Sequence, residues 1–131
     1  MKKHRRLGTL SFLGHSFGGL IVRAALPHLL EFRSNFYSFI TLGTMHLGFP
    51  NASKIIENGA WLVKNMRKSR CLEEILLEDC PGDPRQTFLY KSSLREDLGF
   101  FKNVCFIASV DDQYAPFESA RVQLGEALCL F

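Results

Sequence analysis

An α/β fold, with a parallel sheet of about three strands joined by crossover helices, is the architecture the sequence predicts. Three observations carry that prediction. Short apolar runs without charge alternate with segments whose apolar residues recur at helical spacing. A glycine-rich turn, Gly14-His15-Ser16-Phe17-Gly18-Gly19, passes directly from the first such run into the first helical segment. Hydrophobic residues make up 47% of the 131 positions and charged residues 22%, which suits one globular domain over 1–131 and excludes disordered and collagen-like classes.

Taken in order, strands are expected at Thr9–Leu13, Tyr37–Leu42 and Asn103–Ala108. The first helix should run from Gly18 to about Leu26, where Pro27 disrupts it, with Leu29 and Leu30 suggesting a further turn. Between the second and third strands lies a long excursion, residues 49–100, with helical segments expected at Ser53–Lys68, Leu72–Glu78 and Pro84–Leu94. A last helix is expected at Ser119–Leu130.

The turn fits G-x-S-x-G through Gly14, Ser16 and Gly18. In a nucleophile elbow of this pattern the serine sits on a tight, strained passage from strand to helix, and glycines on either side remove Cβ atoms where the backbone doubles back. The Ser16 hydroxyl is then lifted above the strand ends. The N–H of Phe17, opening the helix, points to where a tetrahedral oxyanion would form. The plainer alternative is a structural glycine turn that happens to hold a serine. A carboxylate that could orient a base follows the third strand, where Asp111 and Asp112 precede Tyr114-Ala115-Pro116. Ordinary turn chemistry would also place aspartates there.

Charge and cysteine usage narrow the partners. The net charge is +3, and much of the excess lies in Lys2, Lys3, Arg5 and Arg6, too local to argue for nucleic acid. The four cysteines show no C-x-x-C spacing and no accompanying histidine pattern, so neither a metal nor a cofactor is expected. They read as reduced thiols of an intracellular, cytoplasmic protein. Lys2 to Arg6 followed by Leu7 to Leu13 imitates a secretory signal, but His15 and Ser16 interrupt the apolar run. No apolar stretch approaches the roughly eighteen residues a membrane span needs, so no transmembrane segment is expected.

Three segments, Thr9 to Leu26 (TLSFLGHSFGGLIVRAAL), Phe39 to Gly48 (FITLGTMHLG) and Phe101 to Ala120 (FKNVCFIASVDDQYAPFESA), resemble in that order the putative serine esterase domain, a lipase-like branch of the α/β-hydrolase superfamily. Met45 and Ala115 stand where the family usually has proline and valine. The resemblance implies a partial α/β-hydrolase fold, a serine ester hydrolase acting on lipid or other acyl esters, Ser16 as nucleophile, and the acid four residues before Pro116. That position is Asp112, with Asp111 as the fallback. It also implies that the excursion 49–100 is where a helical, lid-like insertion would lie. The apolar Ile55, Ile56, Trp61, Leu62, Val63 and Met66 suit a lid. The preferred reading is a crossover helix packed on the sheet, with Lys54, Glu57, Lys64 and Arg67 in water.

The base is the difficulty, because the superfamily order is serine, acid, histidine, and no histidine follows Asp112. His4, His15 and His28 have duller explanations. His46 occupies a position where the resemblance implies a structural histidine, yet strands about 4.8 Å apart could bring it near Ser16, so it is carried as a minor candidate base. The second oxyanion donor should come from a loop upstream of the elbow, where only fifteen residues precede Ser16. The chain is therefore expected to be the middle of a hydrolase domain, truncated at both ends and inactive by itself, with the outer edge of the first strand open to self-association. The alternative is a non-catalytic hydrolase-fold remnant acting as a binding or regulatory module.

Overall fold

Strands β1 (Leu10–His15), β2 (Phe36–Leu42) and β3 (Asn103–Ile107) form a parallel sheet in the order β1-β2-β3. The computed structural model describes residues 8–49 and 69–123. In register, Leu13 pairs with Ile40 and Ile40 with Cys105, while His15, Leu42 and Ile107 align at the carboxyl ends. Parallel neighbours need crossovers, since no tight turn can join them. The first consists of helix α1 (Phe17–Ala25) and a 3-10 stretch, Leu26–Asn35. Helices α2 (Arg70–Leu76) and α3 (Phe88–Ser93) lie between β2 and β3, and α4 (Phe117–Ala120) follows β3.

The expected α/β class and the three parallel strands are thus present. The boundaries differ in instructive ways. β1 runs on to His15, so the strand itself delivers the elbow. At Pro27 the chain tightens into 3-10 geometry instead of stopping. The helix expected over Pro84–Leu94 is split: Pro84–Gln86 is 3-10, Thr87 is extended, and α3 begins after it. Thr87 causes the break, because its buried hydroxyl donates to the Pro84 carbonyl at 2.7 Å and accepts from the Tyr90 N–H. A side chain bonded to local backbone competes with the helical ladder. Of the helix expected at Ser119–Leu130, the structure shows Phe117–Ala120, and residues 121–123 leave the helix in a turn; residues 124–130 and the excursion helix expected at Ser53–Lys68, with Trp61, lie outside the described residues.

Two apolar clusters position the site. One stacks Phe36 on Phe101 with ring centres 4.6 Å apart, places the Phe12 ring edge-on to both, and includes Leu26 and Phe39 beneath β1 and β2. The other gathers Leu20, Met45, Phe49, Ile75, Leu89, Ala115 and Ala120. Met45 and Ala115 are 1% and 3% exposed and anchor the loops after β2 and β3 to one core. The opposite sheet face is more open among the described residues. Leu13 on β1 is 69% exposed and Ile107 on β3 45%, whereas Leu10 and Phe12 on the other face of β1 are half-buried.

Candidate functional site

The elbow forms where β1 meets α1, and its geometry comes from glycines that let helix and strand nearly touch. A Cβ on Gly14 would sit 2.5 Å from Gly19 Cα and 2.6 Å from Gly19 N. One on Gly19 would sit 2.3 Å from Thr44 Oγ1 and 2.9 Å from Thr41 Cγ2. A Cβ on Gly18 would meet nothing within 4 Å. The close-approach pair is therefore Gly14 and Gly19, and Gly19 falls outside the G-x-S-x-G pattern.

Between them Ser16 adopts φ 51°, ψ −125°, a conformation that non-glycine residues rarely hold. Its N–H donates to the Leu42 carbonyl at 2.8 Å, and its carbonyl accepts the Thr44 hydroxyl at 2.7 Å. A serine at a helix N-cap usually spends its hydroxyl on the first-turn N–H groups. Ser16 makes no such bond, which leaves the half-buried Oγ free of the helix it precedes. Phe17 opens α1, so its N–H is one of the helix-start donors with no intrahelical acceptor. His15, the variable residue of the motif, is exposed.

The Leu42–Gly43 junction at the end of β2 links this elbow to the candidate acid. Leu42 takes the Ser16 N–H, and the Gly43 N–H donates to the Ile107 carbonyl at 2.9 Å. Gly43 has φ 54°, and a Cβ there would lie 2.8 Å from Asp112 Oδ2. Asp112 is half-buried and fixed: its Oδ1 accepts the N–H groups of Tyr114 at 2.8 Å and Ala115 at 3.0 Å. Asp111 is exposed, and only its backbone N–H is engaged, with Ser109 Oγ. The structure thus brings Ser16 and Asp112 to the same end of the sheet, on either side of Leu42–Gly43.

His46 is buried and bonded within the core. It is 2% exposed, with Nε2 hydrogen-bonded to Thr41 Oγ1 at 2.8 Å and its ring against Phe106 at 4.7 Å between centres. Burial, reinforced by the Arg23 charge, lowers its pKa to about 3, so the ring is neutral. Nδ1 is buried without a hydrogen-bond partner among the described residues. His28 is exposed in the 3-10 stretch, and His4 lies outside the described residues.

Sequence reasoning passed over several residues that build this end of the sheet. Thr41 and Thr44 are fully buried against Gly19, and the TLGT run around the β2 end was their only signal. Arg23, 6% exposed, donates from Nη2 to the Ser92 carbonyl, while Arg95 donates from Nη2 to the Arg23 carbonyl. Arg95 Nε lies 2.9 Å from Asp97 Oδ2, close enough for an ion pair but without hydrogen-bond alignment. Desolvation depresses the Arg23 pKa and the Asp97 charge opposes it. This buried network fastens α1 to the segment after α3.

Among the described residues no group of His, Cys, Asp and Glu is arranged to hold a metal ion. No described helix is long and apolar enough to cross a membrane. An open cavity of about 710 Å³ lies beside α2, lined by residues including Glu73, Leu77, Glu78 and Cys80, and contains none of the elbow residues. Compared with known proteins, the sequence matches over residues 1–125 the family described as "Putative serine esterase". No solved structure matches the chain.

Proposed function

The chain belongs to that family, and from this premise we propose that it is a serine ester hydrolase in which Ser16 is the nucleophile, the Phe17 N–H an oxyanion donor, and Asp112 the acid that orients a base. The observation that carries the proposal is the conformation of Ser16: a strained positive φ, with the hydroxyl withheld from the helix it begins. Strain of this kind persists where surrounding structure enforces it, and it clusters at reactive sites.

In the proposed reaction Ser16 Oγ attacks the ester carbonyl carbon, its proton passes to a base, and the carbonyl electrons move onto oxygen beside the Phe17 N–H. Collapse expels the alcohol, and water releases the acid from the acyl-serine. One preorganised donor of this type is worth about 3 kcal/mol in the transition state. The environment of Asp112 suits an orienting role, since Oδ1 is fixed by two N–H groups and Oδ2 is the oxygen left over. The base is unassigned. No histidine follows Asp112, and His46 is buried, neutral and bonded to Thr41. The substrate class is an acyl ester, with a lipid ester as the finer proposal from the lipase-like resemblance. An α/β-hydrolase placement belongs to the same proposal. Fluorophosphonate labelling tests it: selective modification of Ser16 supports the hydrolase, and an unreactive Ser16 in the folded chain supports a non-catalytic remnant.

A further inference from the structure

We propose that Thr44 is a positioning residue whose hydroxyl, by holding the carbonyl of the Ser16–Phe17 peptide unit, aims the Phe17 N–H at the oxyanion. The inference rests on the esterase proposal for its catalytic meaning, but its geometric content stands separately. The Ser16 carbonyl and the Phe17 N–H belong to one planar trans unit, so fixing the oxygen on one side fixes the direction of the hydrogen on the other. Thr44 Oγ1 donates to that oxygen at 2.7 Å. The only other described contact to it outside the helical ladder is the Gly19 N–H, longer at 3.3 Å.

Thr44 is well placed to act as an anchor because it cannot turn away. It is fully buried, and its hydroxyl and methyl both lie within 2.6 Å of where a Gly19 Cβ would be, so α1 closes over it. The other hold on Ser16, its N–H to the Leu42 carbonyl, uses backbone alone and would survive any side chain at position 42. Thr44 therefore supplies the part of the grip that depends on residue type. A hydroxyl that donates to a carbonyl also polarises the amide on the far side of that unit, which strengthens the N–H as a donor.

The test compares Thr44→Val, which keeps the shape and removes the hydroxyl, with Thr44→Ser, which keeps the hydroxyl and removes the methyl. Two readouts are taken on the full chain. In the first, independent of chemistry, the Phe17 amide ¹H–¹⁵N resonance should shift in Thr44→Val, because the carbonyl of its own peptide unit loses its hydroxyl donor, and stay in place in Thr44→Ser. The Ser16 carbonyl ¹³C resonance should move in the valine variant only. In the second, fluorophosphonate modification of Ser16 should slow about tenfold or more in Thr44→Val and stay at the parent rate in Thr44→Ser. A valine variant that matches the parent in both, or a serine variant that loses both while folded, overturns the proposal. If Thr44→Val does not fold, the serine variant decides alone, because a packing role predicts that it fails. A parent chain whose Ser16 is no more reactive than its other serines defeats the esterase proposal, while the Phe17 amide and Ser16 carbonyl resonances still decide the role of Thr44.

Discussion

The two motif glycines flanking Ser16, Gly14 and Gly18, should respond very differently to alanine, although the motif treats them alike. In Gly14→Ala the new Cβ would lie 2.5 Å from Gly19 Cα and 2.6 Å from Gly19 N, both backbone atoms that no rotamer change can move. Unstrained carbon contacts lie at about 3.5–4.0 Å, so β1 and α1 must separate by about 1 Å or more. Overpacking of this kind costs about 1–3 kcal/mol, and with backbone on both sides the upper end applies, about 3 kcal/mol. In Gly18→Ala the new Cβ meets nothing within 4 Å, and the residue lies inside α1. Alanine there should stabilise by about 0.5–1 kcal/mol through helix propensity. With a urea m-value of about 2 kcal/mol/M, the unfolding midpoints of the two variants should differ by about 2 M. Gly18→Ala should keep the reactivity of Ser16, and Gly14→Ala should lose it. Equal midpoints for the two variants, or a Gly14→Ala chain as stable as the parent, would refute the close-packed elbow.

The two adjacent aspartates should also separate. Asp112→Ala leaves the Tyr114 and Ala115 N–H groups without their acceptor and should cost about 1–2 kcal/mol in urea unfolding, whereas Asp111→Ala should stay within about 0.5 kcal/mol. Stability should depend on pH through His46. Its pKa is about 3 when folded against an ordinary 6.5. Between those values the unfolded chain binds more protons, so the contribution of neutral His46 is complete above pH 6.5 and is lost progressively as the pH falls toward 3. At pH 5 the loss is about 2 kcal/mol relative to neutral pH, and His46→Gln should remove that part of the slope in urea midpoints taken at both pH values. Residues 1–131 should turn over a p-nitrophenyl ester scarcely faster than Ser16→Ala, because a serine without its base is a weak nucleophile. Turnover that disappears in both Ser16→Ala and His46→Ala would instead make His46 the base.

The strands and the glycine-rich turn were legible because each is a local matter. Short charge-free runs such as Thr9–Leu13 and Asn103–Ala108 favour strands, and the glycines of Gly14-His15-Ser16-Phe17-Gly18 favour a tight passage out of one. The preference for Asp112 over Asp111 came from the family resemblance, which implies an acid four residues before Pro116; in the structure Asp112 accepts the N–H groups of Tyr114 and Ala115. What stayed hidden depends on contacts between distant segments. Gly19 is needed because Thr41 and Thr44 arrive from β2, and nothing near Gly19 in the sequence announces them. Arg23, the one charge on α1, is buried where Ser92, Arg95 and Asp97 converge on it from the far side of the chain. The split at Thr87 was missed because one hydroxyl bonding to Pro84 and Tyr90 outweighs the helical pattern around it. The exposure of Leu13 and Ile107 among the described residues was not legible either, since an apolar strand reads the same whether one face or both are covered.

The most direct test of Ser16 as the nucleophile is fluorophosphonate modification of the folded chain, mapped residue by residue by mass spectrometry. The proposed site predicts slow but selective phosphonylation at Ser16, abolished in Ser16→Ala and unaffected in Asp111→Ala. Selectivity should survive the lack of an assigned base, because the Phe17 N–H stabilises the oxygen charge that develops only when the serine beside it attacks. Modification spread over the serines without preference for Ser16, or a pattern unchanged in Ser16→Ala, would contradict it.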